Sequence, residues 1–180
     1  MPSTYRFAPA APEEAIVFGA ARPGYKEEAL MQWIAYVRQQ GIQKICCLLP
    51  EAQCLRYTPH LLSAYYQEFG PDQVCWAPTE DFCVIESSVL TQTILPFLKT
   101  ADTYQQPVLV HCSGGIGRTG QVLAGWLVHA RGYSNQAAIA TVRRSGRNPY
   151  EAVIAAPLRG KNPLKVLDQL NALLTACRSV

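Results

Sequence analysis

PVLVHCSGGIGRTGQVLAG, residues 107–125, is the stretch on which the reading of this chain turns. An apolar run, Val108 to Val110, delivers His111 and Cys112. Gly114, Gly115 and Gly117 follow, then Arg118, Thr119 and Gly120, before the chain turns apolar again. The run before Cys112 has the character of a buried strand. The stretch from Arg118 to Gly132 is apolar nearly all round, the mark of a buried helix. A glycine loop between a strand and a helix lets successive backbone N–H groups converge on an anion.

Three chemistries use such a loop. Gly115, Gly117 and Gly120 match GxGxxG, but a dinucleotide site needs an acid about 20 residues on, at the end of a second strand. Here the next acid is Glu151, and the sequence between reads as helix. A nucleotide P-loop needs a Lys where Arg118 stands and a longer spacing from its first glycine. The third chemistry accounts for every residue. Glycines curl the loop into an anion nest, the helix adds its positive end, and Arg118 closes the ring with a planar fork that matches two phosphoryl oxygens. Cys112 sits at the bottom, where the same groups favour a thiolate facing the bound phosphoryl group.

The rest of the chain agrees with a globular enzyme. Its 180 residues fit one domain, and 49% hydrophobic against 16% charged residues excludes disorder. No apolar run approaches a membrane span, and the N-terminus lacks the pattern of a secretory signal, so a cytoplasmic protein without a membrane partner is expected. The seven cysteines (Cys46, Cys47, Cys54, Cys75, Cys83, Cys112 and Cys177) are odd in number and show no metal-ligand spacing. They read as mostly small buried hydrophobes in a reducing compartment, with no metal and no cofactor. Net charge is only +3, but no acid lies between Asp102 and Glu151, a window that holds Arg118, Arg131, Arg143, Arg144 and Arg147. That window is either a solvated basic face or an electropositive anion site. A nucleic-acid partner is not expected, because aromatics do not interleave the basic residues.

Along the chain, residues 4–8 and 14–20 read as short β segments, and 44–50, 73–78 and 106–112 as strands. Helices are expected over 25–41, 58–70, 87–101 with a kink at Pro96, 118–132, 134–146 with a Ser134 cap, and 162–178. Strands alternating with helices imply an α/β fold with a central, mostly parallel sheet flanked by helices. Residues 1–13 read as an N-terminal arm and 14–180 as the catalytic domain.

The sequence HCSGGIGRTG, 111–120, resembles the HCxxGxxR(S/T)G signature of the cysteine-dependent protein tyrosine phosphatase superfamily, and every fixed position matches. The size and element order are similar to the compact dual-specificity phosphatases from about Glu14 onward. The resemblance implies a phosphatase acting on phosphotyrosine, with phosphoserine and phosphothreonine as further substrates, through a phosphocysteine on Cys112. It implies that His111 orders the loop and helps hold the thiolate. Ser113, Gly114, Gly115, Ile116 and Gly117 would supply main-chain donors. Arg118 would bind the phosphoryl group, and Thr119 would donate its hydroxyl to the Cys112 sulfur. Partners would be phosphorylated proteins or peptides, with phosphate-like oxyanions as inhibitors.

A departing tyrosinate needs a proton. The family takes its general acid from a loop some thirty residues before the Cys. Here that place holds WAPTEDFC, with Asp81 31 residues upstream and Glu80 as its rival; Asp81 is preferred on spacing and reach. Asn148 has two readings: the residue that positions the hydrolytic water in related enzymes, or a turn at Asn148-Pro149. Arg22 reads as a turn arginine, His60 as a first-turn residue, His129 as a core residue, and Cys54 as the guess for a resolving thiol. A lipid phosphatase would carry lysines inside the loop, and none stands at 113–117. A phospho-binding module without catalysis would lack the Cys, the Arg or the acid, and all three are present.

Overall fold

The computed structural model describes residues 4–179. β1 (Ala8–Pro9), β2 (Val17–Ala21), β3 (Lys44–Cys47), β4 (Val74–Trp76) and β5 (Val108–Cys112) form one sheet in the order β1-β2-β5-β3-β4. β2, β5, β3 and β4 run parallel, and β1 joins the edge antiparallel to β2. The expected α/β class and mostly parallel sheet are therefore found. β5 is central because its residues are apolar toward both faces. Val108, Val110 and Cys112 enter the core on one side, and Leu109 enters the core on the other.

α1 (Glu27–Gln39) and α3 (Leu61–Phe69) cover the Leu109 face through Leu30, Trp33, Ile34, Val37, Leu61 and Tyr65. The opposite face carries α5 (Leu95–Thr103), α6 (Gly117–Arg131), α7 (Asn135–Arg144) and α9 (Pro163–Ala176), numbered with the shorter helices α2 (Glu51–Cys54), α4 (Ser87–Val89) and α8 (Glu151–Ala155). Every residue of α6 from Gly117 to Val128 is buried, as its all-round apolarity requires. It lies so close over β2 that a Cβ on Gly19 would come within 2.8 Å of Leu123 and Thr119. Ser134 caps α7 by accepting from the Ala137 N–H, and Asn162 caps α9 ahead of Pro163.

One expectation is corrected, and two take a definite structural form. Residues 4–6 form a 3-10 turn where a strand was expected, with Tyr5 at positive φ. The described part of the segment read as an arm is built into the body. Ala10 and Ala11 are buried, and the neighbouring Glu14 receives the Trp126 indole N–H and the Arg131 guanidinium. The expected kink at Pro96 takes the form of a π-helical stretch, Leu90–Ile94, immediately before it. Proline removes an N–H and crowds the carbonyl four residues back, which the wider π turn accommodates. No helix among the described residues is long and apolar enough to cross a membrane.

Candidate active site

The parallel register sets Ala21 beside Cys112 and Cys47 beside His111, so β5 delivers Cys112 to the carboxyl end of the sheet between two strands. The loop from Ser113 to Ile116 then turns into α6. Gly115 has φ +68° and lies against β2, where a Cβ would come within 2.4 Å of the Ala20 carbonyl oxygen, so only glycine fits. Thr119, in the first turn of α6, donates its hydroxyl to Cys112 Sγ at 3.1 Å. Cys112 and Thr119 are both buried. The sulfur therefore faces a hydroxyl donor at the mouth of a helix N-terminus.

His111 lies beneath the loop in a box made by Trp33 and Tyr65. Burial draws its imidazole down to about 4, and the charges of Arg118 and Arg22 act in the same sense, against the hydrogen bond to the Cys112 carbonyl. The ring is neutral near pH 7. Nδ1 donates to the Cys112 carbonyl at 3.4 Å, and Nε2 accepts from the Tyr65 hydroxyl at 3.1 Å. Burial pushes the Tyr65 phenol up, which keeps it a donor. His111 thus orients the loop by hydrogen bonds and brings no positive charge to the sulfur.

Arg118 is almost fully buried and divides its donors. Nη1 donates to the carbonyls of Thr79 (2.6 Å) and Leu48 (3.3 Å), and Nη2 to Asp81 Oδ1 (2.5 Å) and Ser113 Oγ (3.1 Å). Ser113 Oγ donates to Gln53 Oε1 at 2.8 Å, and Gln53 Nε2 reaches Asp81 Oδ2 at 3.3 Å. The ring Arg118–Asp81–Gln53–Ser113 ties the loop that carries Asp81, α2 and the glycine loop together. Asp81 faces this ring with a side chain still 36% exposed, whereas Glu80 on the same loop is exposed. The loop's far end is held by Gln121 of α6, which accepts from the Ile85 N–H at 2.9 Å and donates to the Cys83 carbonyl at 3.2 Å.

Asn148 packs against the loop through its backbone N–H, which donates to the Ile116 carbonyl at 3.2 Å; its side-chain Oδ1 is buried with no hydrogen-bond partner among the described residues. The side chain that lies over the loop from this segment is Glu151. A Cβ on Gly117 would come within 2.1 Å of its Oε2. Burial and the Asp81 charge push this carboxyl up, against the pull of the Gly117 amide and Arg118. Arg147 braces the loop from behind by donating to the carbonyls of Gly115 (3.0 Å), Gly19 (2.6 Å) and Arg6 (2.7 Å).

Gln53, Gln121, Arg147 and Glu151 are residues in contact with the site that sequence reading did not assign. Glu151 alone had a signal, as the acid that ends the acid-free window. Of the arginines in that window, Arg118 lies in the site and Arg147 behind it. Arg131 is neutralised by Glu14 and Asp102, and Arg143 and Arg144 are exposed. Cys54 is buried, with its thiol against Cys47 and the Leu49 carbonyl. His129, expected in the core, is only half-buried, with Nδ1 3.1 Å from the Cys177 carbonyl oxygen.

A thiol held in a glycine loop at a helix N-terminus, an arginine fork across it and a carboxylate on a facing loop define a cysteine-dependent phosphatase of the compact dual-specificity type. The chain belongs to the family Tc-R-P, polymorphic toxin system, DSP-PTPase phosphatase, whose model matches residues 18–132. No curated protein matches it. Its fold is similar to Tk-PTP in the active form, at 23% identity and a TM-score of 0.67 over 91% of this chain and 97% of that one. It is also similar to TpbA of P. aeruginosa in complex with pTyr, at 19% identity and a TM-score of 0.56 over 97% and 99%. A third similar structure is PTPMT1 in complex with PI(5)P, at 16% identity and a TM-score of 0.65 over 97% and 99%. At these identities the likeness concerns the fold.

Proposed function

We propose that this phosphatase hydrolyses phosphotyrosine in proteins or peptides through a phosphocysteine on Cys112, with Asp81 as general acid. One observation carries the reading: Cys112 Sγ, the hydroxyl of Thr119 and the guanidinium of Arg118 converge on one loop, and Asp81 meets Arg118 directly. An incoming phosphoryl group takes the Arg118 fork from Asp81 and draws further donors from the N–H groups of residues 113–117. The Cys112 thiolate attacks phosphorus; the S–P bond forms, the P–O bond to the tyrosine breaks, and Asp81 gives its proton to the departing oxygen. Water then attacks the phosphocysteine and leaves a proton on Asp81. The S–P bond breaks as Thr119 stabilises the departing thiolate. Asn148 and Glu151 both border the loop, at Ile116 and Gly117, and are the residues nearest to hand for orienting that water in this reading.

Phosphoserine and phosphothreonine are slower substrates in this reading, because their alkoxides are poorer leaving groups. Phosphate-like oxyanions inhibit by occupying the nest. All seven cysteines are free, which suits a cytoplasmic setting. The test is phosphate release from phosphotyrosyl and phosphoseryl peptides by wild type and by Cys112→Ser, with and without chelator. Turnover by wild type that survives chelation and vanishes in folded Cys112→Ser is expected; activity retained by Cys112→Ser overturns the mechanism.

A further inference from the structure

We propose that Arg22 and Arg56, stacked on Tyr25 at the rim of the catalytic loop, form a second anion subsite that selects substrates with a further carboxylate or phosphate beside the scissile phosphoryl group. The proposal rests on the phosphatase reading above and adds a substrate class to it.

The placement follows from the sheet. β2 ends at Ala21 opposite Cys112, so Arg22 is the first residue beyond it, and its N–H donates to the Ser113 carbonyl at 3.1 Å. The Arg22 guanidinium is locked by Nη1, which donates to the Pro23 carbonyl at 2.8 Å and contacts the Tyr57 hydroxyl at 3.2 Å. Its Cζ lies 3.8 Å from the Tyr25 ring centroid, and that of Arg56 lies 4.1 Å from the same centroid. Tyr57 supports the ring from the side, with centroids 4.8 Å apart. Two loops, 22–26 and 55–60, thus bring two guanidiniums to one aromatic ring, and the first of these loops is tied to Ser113 through the Arg22 backbone.

No ion pair holds either charge among the described residues, although Glu27, Glu28 and Glu51 are exposed on the first turns of α1 and α2. Both charges lie about 4 Å from one ring, so they sit within a single screening length, about 8 Å at physiological salt. Arg56 makes no side-chain hydrogen bond among the described residues, and Arg22 uses only Nη1. Stacking fixes each fork while leaving N–H edges free, which lowers the entropy lost when an anion binds. Like charges held together without an ion pair are a local conflict, and such conflicts mark binding sites. The loop itself offers no basic residue at 113–117, so positive charge at its edge comes from outside it: from this pair on one side, and from Arg159, which donates to the Asp81 carbonyl, on the acid-bearing side.

The anion has two sources, and two arms separate them. The first arm compares kcat/KM for phosphotyrosyl peptides with Glu, Ala or Lys flanking the phosphotyrosine. The second compares small aryl and polyol monophosphates with their bisphosphates, with p-nitrophenyl phosphate as the reference. Wild type is expected to favour the doubly anionic member of at least one arm by about fivefold, less in high salt. The arm that shows it names the source. Arg56 is exposed, so Arg56→Glu is the variant of choice; its preference is expected to collapse or invert toward Lys-flanked peptide, and a matched Tm shows that it folds. Equal kcat/KM throughout both arms with p-nitrophenyl phosphate turned over, or a preference unchanged in Arg56→Glu, overturns the subsite alone. No turnover of any phosphate ester by wild type overturns the phosphatase reading and the subsite with it.

Discussion

Asp81 Oδ1 lies 2.5 Å from Nη2 of Arg118, so the carboxylate that would deliver a proton is held by the guanidinium that would bind phosphate. Each substrate must separate this pair. Asp81→Ala is therefore expected to act in two directions. kcat on phosphotyrosine falls by on the order of 10²–10⁴-fold, the usual worth of acid catalysis, while oxyanions bind at least as tightly because Arg118 is released. The kcat loss shrinks for an aryl phosphate with an acidic phenol. Glu80→Ala, on the exposed neighbour, is expected to behave as wild type on both substrates. A leaving-group-dependent loss in Glu80→Ala, with Asp81→Ala unaffected, would reverse the assignment.

Arg118→Lys is expected to be nearly as damaging as Arg118→Ala. The guanidinium spans the Thr79 and Leu48 carbonyls with one nitrogen and Asp81 with Ser113 Oγ with the other. A single ammonium cannot hold the acid loop and fork a trigonal phosphoryl group at once. Steady-state kinetics decide it: a lysine variant that keeps most of the wild-type kcat would show that bare charge suffices.

Glu151 sets a negative charge over the Gly117 amide, where an oxyanion must approach. Glu151→Gln is expected to tighten phosphate inhibition roughly threefold to tenfold near neutral pH, the scale of one partly screened charge contact. Because burial raises this carboxyl, wild type neutralises it earlier on acidification than an ordinary glutamate. The affinity ratio of variant to wild type should therefore approach one as the pH falls. A ratio independent of pH would mean that the carboxylate does not face the bound anion.

The buried His111 ties stability to pH. Its folded value is about 4 against an ordinary 6.5, so between these values the unfolded chain takes up a proton that the folded chain refuses. Its contribution is complete above about 6.5 and is lost as pH falls toward 4, about 2 kcal/mol of it by pH 5. Urea unfolding at pH 7 and pH 5 measures the slope. His111→Asn should flatten it relative to wild type, and an unchanged slope would place the effect on other groups.

The catalytic loop was legible in the sequence because its chemistry is contiguous: strand, thiol, glycines, arginine and hydroxyl lie within the twelve residues Val108–Thr119. The sheet was legible because β3 and β5 are apolar toward both faces. What surrounds the loop was not. Gln53 meets Ser113 across 60 positions and Gln121 meets Ile85 across 36, and a glutamine in a helix has no local pattern that says what it will touch. Arg147 read as one more basic residue in a charged window, since nothing local shows that three carbonyls close around it. The segment 4–13 misled through its composition. Proline and alanine suggest a loose chain, but small residues are also what an edge strand needs to lie flat beside β2.

That edge has a mechanical consequence through Arg147. One guanidinium clamps the carbonyls of Arg6, Gly19 and Gly115, so the start of the chain and the catalytic loop hang from the same rivet. Fraying of residues 4–9 is expected to free a donor from that rivet and loosen the loop, and an oxyanion that stiffens the loop is expected to damp the fraying in return. Amide-hydrogen exchange at residues 7–10 should slow when vanadate is bound, although those amides lie outside the nest. The segment that composition marks as the most dispensable thereby becomes a remote gauge of occupancy at Cys112.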